Sequence, residues 1–372
     1  MNMLFLTALL FVLAGLTGGT LMLWSFRTPQ PGSQTGQLPY LSIIVPARNE
    51  AKRLPDLLQS LTNQSLQAYE ILVIDDASDD DTAAVAEAYG AKVIQNKGVS
   101  HMAPGKSAAC AYGADCAQGD WLMFLDADVQ LLGQHSLLHI VTAYQKQNEQ
   151  GLLSIQPYHH ITKLYENLSA VFNIIVLTGV NVFTFWQDRF KTAGSFGPCI
   201  LCDKTSYQLT GGHEAAAESI MDDYALSDVF RYHQLPVRNY AGKGMIAFRM
   251  YPEGMKQLVE GWTKNLAVAS QSTHWIVMVL ISLWMSGAFL ATAFPIVALA
   301  AGAPVWAGIS AVCYLLYAAH VLCLARRAGD FNWWICLFFP ALFLFFTVLF
   351  VYSFYRTHVL RTVTWKGRRI KL

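Results

Sequence analysis

Three long stretches of this 372-residue chain carry no Asp, Glu, Lys or Arg: residues 1–26, 265–325 and 331–355. Charge is costly in hydrocarbon, and about 20 consecutive apolar residues are enough to cross a bilayer. Each stretch reaches that length, and the middle one has room for two crossings. The chain therefore cannot fold as an ordinary soluble globule. Charged residues make up only 14% of it and fall mainly between Arg27 and Lys264. The expectation is a polar domain held in a membrane frame. A net charge of +1 gives no overall field to recruit nucleic acid, so no nucleic-acid partner is expected.

The first apolar run has no Lys or Arg before it and no clear small-x-small cleavage site after it. It reads as a retained anchor over 1–26 rather than a removed signal peptide. The seven cysteines are scattered. Cys199 and Cys202 form one CxxC, without the second pair that a zinc site wants. They read as reduced, structural thiols, as in a domain facing the cytosol.

After a Pro/Gly/Ser/Thr-rich linker over 27–37, strands and helices alternate. The pattern predicts strands at 41–46 (LSIIVP), 70–75 (EILVID), 91–95 (AKVIQ) and 121–125 (WLMFL). Helices are predicted over 49–66, 81–89 and 105–117. Such alternation implies an α/β, Rossmann-like, mostly parallel sheet, with ligands outside the carboxyl ends of its strands. Beyond Asp128 the pattern loosens. Residues 167–187 are uncharged and read either as a further span or as a helix lying in the membrane interface.

Strand two runs out into Asp75 and Asp76, and strand four into Asp126 and Asp128, at one edge of the sheet. Gathered carboxylates repel, by ~4 kcal/mol per close pair at an effective dielectric of 20. A divalent cation relieves this, and Mg²⁺ or Mn²⁺ bridges such oxygens to phosphates. Asp79, Asp80 and Asp81 read instead as the cap of the following helix. The APGKS run at 103–107 lacks the spacing of a P-loop, yet Lys106, opening a helix, can meet a phosphate. Asp222 and Asp223 are either a general base with its neighbour or favourable acids at a helix start. Trp262 reads as an interface-belt aromatic. Lys264 reads as a flanking charge or as a cation able to reach a diphosphate. The tail 356–372 holds six Lys/Arg and no acid, which suits anionic lipid on the inner face.

Taken together, these residues resemble the family 2 glycosyltransferases, whose catalytic domain has the GT-A fold. Four blocks match in order over about 40–265: IIVPARNE at 43–50, Asp75-Asp76-Ala77-Ser78, LDADV at 125–129, and Asp222-Asp223-Tyr224. The resemblance implies a GT-A domain over 38–265; the uncharged stretches beyond it read as a transmembrane region over 266–355, followed by the basic tail 356–372. It implies that Pro46, Arg48, Glu50, Asp75, Asp76, Lys106 and Asp126 bind the nucleotide sugar, with Lys264 contributing. Asp126 and Asp128 would hold Mg²⁺ or Mn²⁺. Asp223 would be the catalytic base, with Asp222 and Trp262 near the acceptor. Processive members carry Gln-x-x-Arg-Trp; here Leu258 and Gly261 precede Trp262, which argues against polymer synthesis. The stretch 251–265 and the terminal Trp365-Lys366-Gly367-Arg368 are most similar to the branch acting on carotenoid acids.

The expected reaction is inverting transfer of a hexose, glucose from a UDP-sugar, to a lipophilic acceptor drawn from the bilayer. Other membrane lipids are alternative acceptors, and a non-catalytic nucleotide-sugar-binding scaffold is a further alternative. A nucleotidyltransferase would want a Gly-rich loop where Pro46–Glu50 stands. Nucleotide sugars are cytosolic, so a multi-pass protein of a bacterial cell membrane with a cytoplasmic catalytic domain is expected. Three candidate spans follow that domain, near 276–295, 304–325 and 332–354. Three crossings would put the basic tail outside; two and a re-entrant segment would keep it inside, which the positive-inside tendency favours.

Overall fold

The computed structural model describes residues 2–30, 40–99, 102–217, 219, 222–269, 273–358, 362–365 and 368–371. For 264–269 and from 358 onward it describes the backbone only. The strands are β1 (Leu41–Ala47), β2 (Glu70–Asp75), β3 (Lys92–Gln95), β4 (Trp121–Leu125), β5 (Val129–Leu131), β6 (Leu152–Gln156), β7 (Tyr158–His159), β8 (Cys199–Asp203), β9 (Val237–Ala241) and β10 (Ile246–Phe248). A terminal hairpin pairs β11 (Thr362–Trp365) with β12 (Arg368–Lys371). The helices of the first half are α1 (Asn2–Met22), α2 (Leu54–Thr62), α3 (Thr82–Ala88), α4 (Lys106–Cys116), α5 (Ser136–Gln145) and α6 (Ala170–Gly179). Those of the second are α7 (Lys204–Thr210), α8 (Gly212–Ala215), α9 (Asp222–Tyr232), α10 (Met255–Ala269), α11 (Trp275–Ala300), α12 (Pro304–Ala328) and α13 (Phe339–His358).

Contacts group the chain into two compact units. One comprises Met1–Phe26, His159–Ala193 and Met250–Leu372; the other comprises Arg27–Tyr158 and Gly194–Arg249. Residues 159–193 and 250–265, inside the stretch read as one domain, thus group with the long helices.

The second unit is built on a seven-stranded sheet in the order β3-β2-β1-β4-β8-β6-β9. β1 to β4 pair in parallel, β8 runs antiparallel to both β4 and β6, and β9 is parallel to β6. The apolar runs in β1 and β4 are buried along their lengths, as central strands covered on both faces must be. Each fully buried Leu, Ile or Val there contributes roughly 1.5–3 kcal/mol. Helix α4 lies close on this sheet because its buried face is small: Ala108, Ala109, Cys110, Ala111 and Gly113. A Cβ on Gly113 would come 2.5 Å from Cγ2 of Ile44. That close seat carries Lys106, the first residue of α4, to the carboxyl edge of the strands. The predicted helix over 49–66 starts only at Leu54, because Asn49 has a left-handed φ of 56° and the loop to Arg53 is spent on the site.

In the first unit, four helical segments are long and apolar enough to cross a membrane: Asn2–Met22, Trp275–Ala300, Pro304–Ala328 and Trp333–Thr357. They match the four apolar stretches expected. Of the two readings of 167–187, a span or a helix lying in the interface, the span is corrected: its helix, α6, has only 10 residues. A helix of that length rises ~15 Å, half the hydrocarbon thickness. Its side chains are mostly buried within the unit, so its apolar composition is that of a core. The polar residues in it are satisfied internally, Asn173 donating to Ser169 O at 2.9 Å and Thr178 to Ile174 O at 2.8 Å. Asn181, with φ 71°, then ends the segment. All seven cysteines are free thiols.

Candidate active site

The loops after β1 and β2 are tied to each other before they offer anything to a ligand. The Asn49 amide donates to Ser78 Oγ at 3.0 Å, and the Asp79 amide donates back to Asn49 Oδ1 at 2.8 Å. The Glu50 amide reaches Thr82 Oγ1 at 2.9 Å, and the Ala51 amide reaches Asp80 Oδ2 at 3.2 Å. Asp80 also accepts from the Thr82 amide at 3.1 Å. Of the three acids expected to cap α3, Asp80 makes that bond, while Asp81 makes no side-chain cap.

Behind this clasp, Asp75 is buried at the end of β2. Its Oδ1 accepts from the Ser78 amide at 3.1 Å and its Oδ2 from Gln95 Nε2 at 2.8 Å. Asp76 accepts from Asn96 Nδ2 at 2.7 Å and lies 3.8 Å from Arg48 Nη1. Pro46 sits within β1 opposite Ile74. Glu50 is paired with Arg53 at 3.2 Å. These residues form one wall of the strand edge.

The second acidic cluster follows β4, two strand spacings (~10 Å) across the sheet from β2. Lys106 Nζ lies 2.7 Å from Asp126 Oδ1. Burial opposes the lysine's charge, yet Asp126, Asp223 and Asp222 together hold it protonated well above the usual range. Lys106 is therefore the point where the DxD cluster and the acidic pair of α9 meet, although 96 residues separate Asp126 from Asp222. Ser107, next to Lys106, donates to Asp222 Oδ2 at 2.6 Å. Ser195 Oγ donates to the Asp223 carbonyl at 2.5 Å, and the Asp223 amide donates to Asp222 Oδ1 at 3.1 Å. The Asp223 carboxylate lies over Gly197, where a Cβ would come 2.0 Å from Oδ2.

Burial, then the Asp126 charge, pushes the Asp128 carboxyl up to about 7; Glu50 adds to this, and Arg53 and Lys106 oppose it. Negative charge is in excess here, and Arg53 and Lys106 only partly offset it. Two adjacent carboxylates fit a hard divalent cation that takes its remaining ligands from phosphate oxygens and water. Among the described residues no group of three or more His, Cys, Asp or Glu converges on one point.

Two sequence-predicted residues lie in the other unit. Trp262 is buried, with Nε1 donating to Ser169 Oγ at 3.0 Å and its ring 4.7 Å from that of Phe172. An interface-belt role is thereby corrected: belt tryptophans face lipid and headgroups, whereas this one is packed inside. The side chain of Lys264 lies outside the described residues. Sequence reasoning missed Ser107, Arg53, Ser195 and Gly197. Ser107 adjoins Lys106 and was within reach of it; nothing in the sequence marks Gly197, whose role is to leave room.

Residues 42–196 match the family model described as Glycosyl transferase family 2. Over 355 residues the chain is 40% identical to the 4,4'-diaponeurosporenoate glycosyltransferase of Staphylococcus haemolyticus, covering 94% of this chain and 92% of that one. The enzyme of the same name from Staphylococcus aureus strain MRSA252 is 38% identical over 333 residues, 89% of this chain and 88% of that one. In fold the chain is similar to a mannosyltransferase from Pyrobaculum calidifontis solved in complex with GDP-Man and Mn²⁺. That likeness has a TM-score of 0.50 at 15% identity and covers 94% of this chain and 99% of the other.

Proposed function

Because the chain belongs to glycosyl transferase family 2, we propose that this GT-A glycosyltransferase moves glucose from UDP-glucose to a carotenoid acid dissolved in the bilayer. The observation that carries the acceptor is the 40% identity, over nearly the whole chain, to a relative named for such an acid. What supports the chemistry is Lys106, shared between Asp126 and the Asp222–Asp223 pair.

In this reading Asp75, Asp76 and Arg48 line the nucleoside wall, and Lys106 meets the diphosphate. Asp126 and Asp128 would hold Mg²⁺ or Mn²⁺, which supplies Lewis-acid neutralisation of the leaving diphosphate. The acceptor carboxyl, with an ordinary pKa of about 4, is already ionised at neutral pH. One of its oxygens attacks the anomeric carbon as the bond from that carbon to the diphosphate oxygen breaks. Attack opposite the leaving group inverts the configuration and yields a glycosyl ester. Asp223, at the start of α9, then orients the acceptor more than it deprotonates it.

The test uses the full chain purified in detergent with UDP-glucose and Mn²⁺ or Mg²⁺. A C30 carotenoid acid, a diacylglycerol and a ceramide are offered in parallel, and Asp126→Ala is the control. The expected result is glucose on the carotenoid acid alone, lost in the control. Glucose on another lipid discards the acceptor assignment and keeps the transferase. Release of no UDP with any acceptor overturns the donor assignment.

A further inference from the structure

Contacts within the helical unit sort its four long apolar segments by depth. α11 runs antiparallel to both α1 and α12 along their lengths, and α1 and α12 are parallel. At one end, Phe5 packs on Phe294 at 5.9 Å and on Trp306 at 5.4 Å, and Trp306 Nε1 donates to Asn2 Oδ1 at 3.2 Å. In the middle, Gly15 and Gly287 bring the backbones of α1 and α11 together. At the other end, the Arg327 guanidinium donates to the Leu23 carbonyl, and the His274 amide donates to Asn181 Oδ1 at 3.0 Å. Call this second end the near end. The far-end apolar cluster, with Phe5, Phe294, Ala298 and Trp306, is built from α1, α11, α12 and the turn between the last two.

The last segment follows a different path. It starts at the near end, where the Phe331 ring lies 5.6 Å from His159 and the Asn332 amide donates to Asn167 Oδ1 at 2.9 Å. It then descends through residues 333–338 to the start of α13, where Phe339 meets Tyr314 at 4.9 Å and Tyr317 at 5.5 Å, and one turn on Phe343 meets Trp284 at 4.7 Å. Trp284 is nine residues into α11, and Tyr317 is eleven from the end of α12. At 1.5 Å per residue both stand ~14–17 Å from the near end, about the middle of a ~30 Å hydrocarbon layer.

Beyond that level the chain climbs back. Phe345 and Phe346 meet Phe172 of α6 at 5.9 and 4.8 Å. Both flanks of α6 are held at the near end, through Asn167 on one side and through Gly179, which accepts from Thr273 Oγ1 at 3.1 Å, on the other. Ser353 Oγ then donates to the Thr263 carbonyl at 2.7 Å in α10, the helix that precedes α11. The groove where α10 meets the end of α13, about 440 Å³, is lined by Lys256, Glu260 and Arg356 together with Tyr352. Three charged side chains there mark a depth that water reaches. Along the same helix Val348, Val351 and Phe354 are exposed, an apolar face for lipid.

We infer that the segment Trp333–Thr357 is re-entrant: it enters one leaflet, reaches the middle of the bilayer and returns. The chain crosses three times, not four, and its two termini lie on opposite faces. Arg326, Arg327 and the basic tail then share one face, where anionic headgroups are the natural partner of that tail.

The test places a different epitope tag at each end of the full chain, in sealed vesicles of one orientation, with protease added outside. Detergent-opened vesicles, in which both tags are cut, serve as the control. The expected result is loss of one tag and retention of the other. Loss of both, or protection of both, would mean an even number of crossings and overturns the proposal.

Discussion

The Asp223 carboxylate stands beside Lys106 and above Gly197, and what it is asked to do depends on the acceptor. With a carboxylate acceptor there is no proton to remove, so Asp223→Asn should keep activity within about tenfold. With an alcohol acceptor the same variant should lose ~10²–10⁴-fold, the usual worth of a general base. Equal losses on the two acceptors would refute the orienting role. His213, close to the same cluster, gives a second residue-scale prediction. Burial, aided by the Lys106 charge and opposed by Asp222, holds its imidazole down at about 4. It is bound to Tyr207 Oη at 2.9 Å and is neutral in the fold. The unfolded chain takes up a proton near pH 6.5 that the fold refuses until about pH 4. Stability is therefore lost as pH falls across that window, by up to ~1.4 kcal/mol per pH unit. Denaturant titrations of His213→Gln between pH 7 and 4 should show a flatter acid slope than the parent, whatever the starting stability. An unchanged slope would show that other groups carry it.

At the scale of elements, the parallel run of β1 to β4 was legible because its strands are short apolar runs ending in Gly, Pro, Asn or Asp punctuation. The two acidic clusters share an edge for the same reason: parallel strands present all their carboxyl ends on one side. The strands after Asp128 were not legible. β8 is inserted antiparallel between β4 and β6, and nothing in its five residues announces a partner drawn from across the sheet. That insertion is also what brings the 194–198 loop under α9. Gly197→Ala places a Cβ 2.0 Å from the Asp223 carboxylate, so α9 or the loop has to shift. A misplacement of about 1 Å at the reacting groups costs about 10²-fold in rate. Circular dichroism should therefore report a folded protein while turnover falls by that order. Wild-type turnover in Gly197→Ala would show that Asp223 is not held by this contact.

For the molecule as a whole, burial in the membrane part comes from close helix packing, since lipid offers no hydrophobic drive between helices. Gly15 of α1 touches Gly287 of α11, and a Cβ there would lie 2.8 Å from the Gly287 Cα. Gly15→Val should cost ~1–3 kcal/mol, the range for overpacking, seen as a lower thermal midpoint in detergent. Gly308→Val is the matched control, since a Cβ there meets nothing within 4 Å. Equal midpoints for the two variants would mean that α1 is not packed against α11 in this way.

The sequence by itself determined that this is a membrane protein with a parallel α/β domain and acids at the strand ends. Those features are written locally, in runs without charge and in strands that end in aspartate. Only the tertiary structure decided which acids meet, that Trp262 goes into the core, that 170–179 is buried rather than spanning, and that the chain packs back toward α10 along α13. Each of these depends on contacts between residues far apart in the chain, such as Ser107 with Asp222 or Ser353 with Thr263. Apolar composition sets whether a helix leaves water. The neighbours it packs against set whether it then crosses the bilayer, returns, or ends as core.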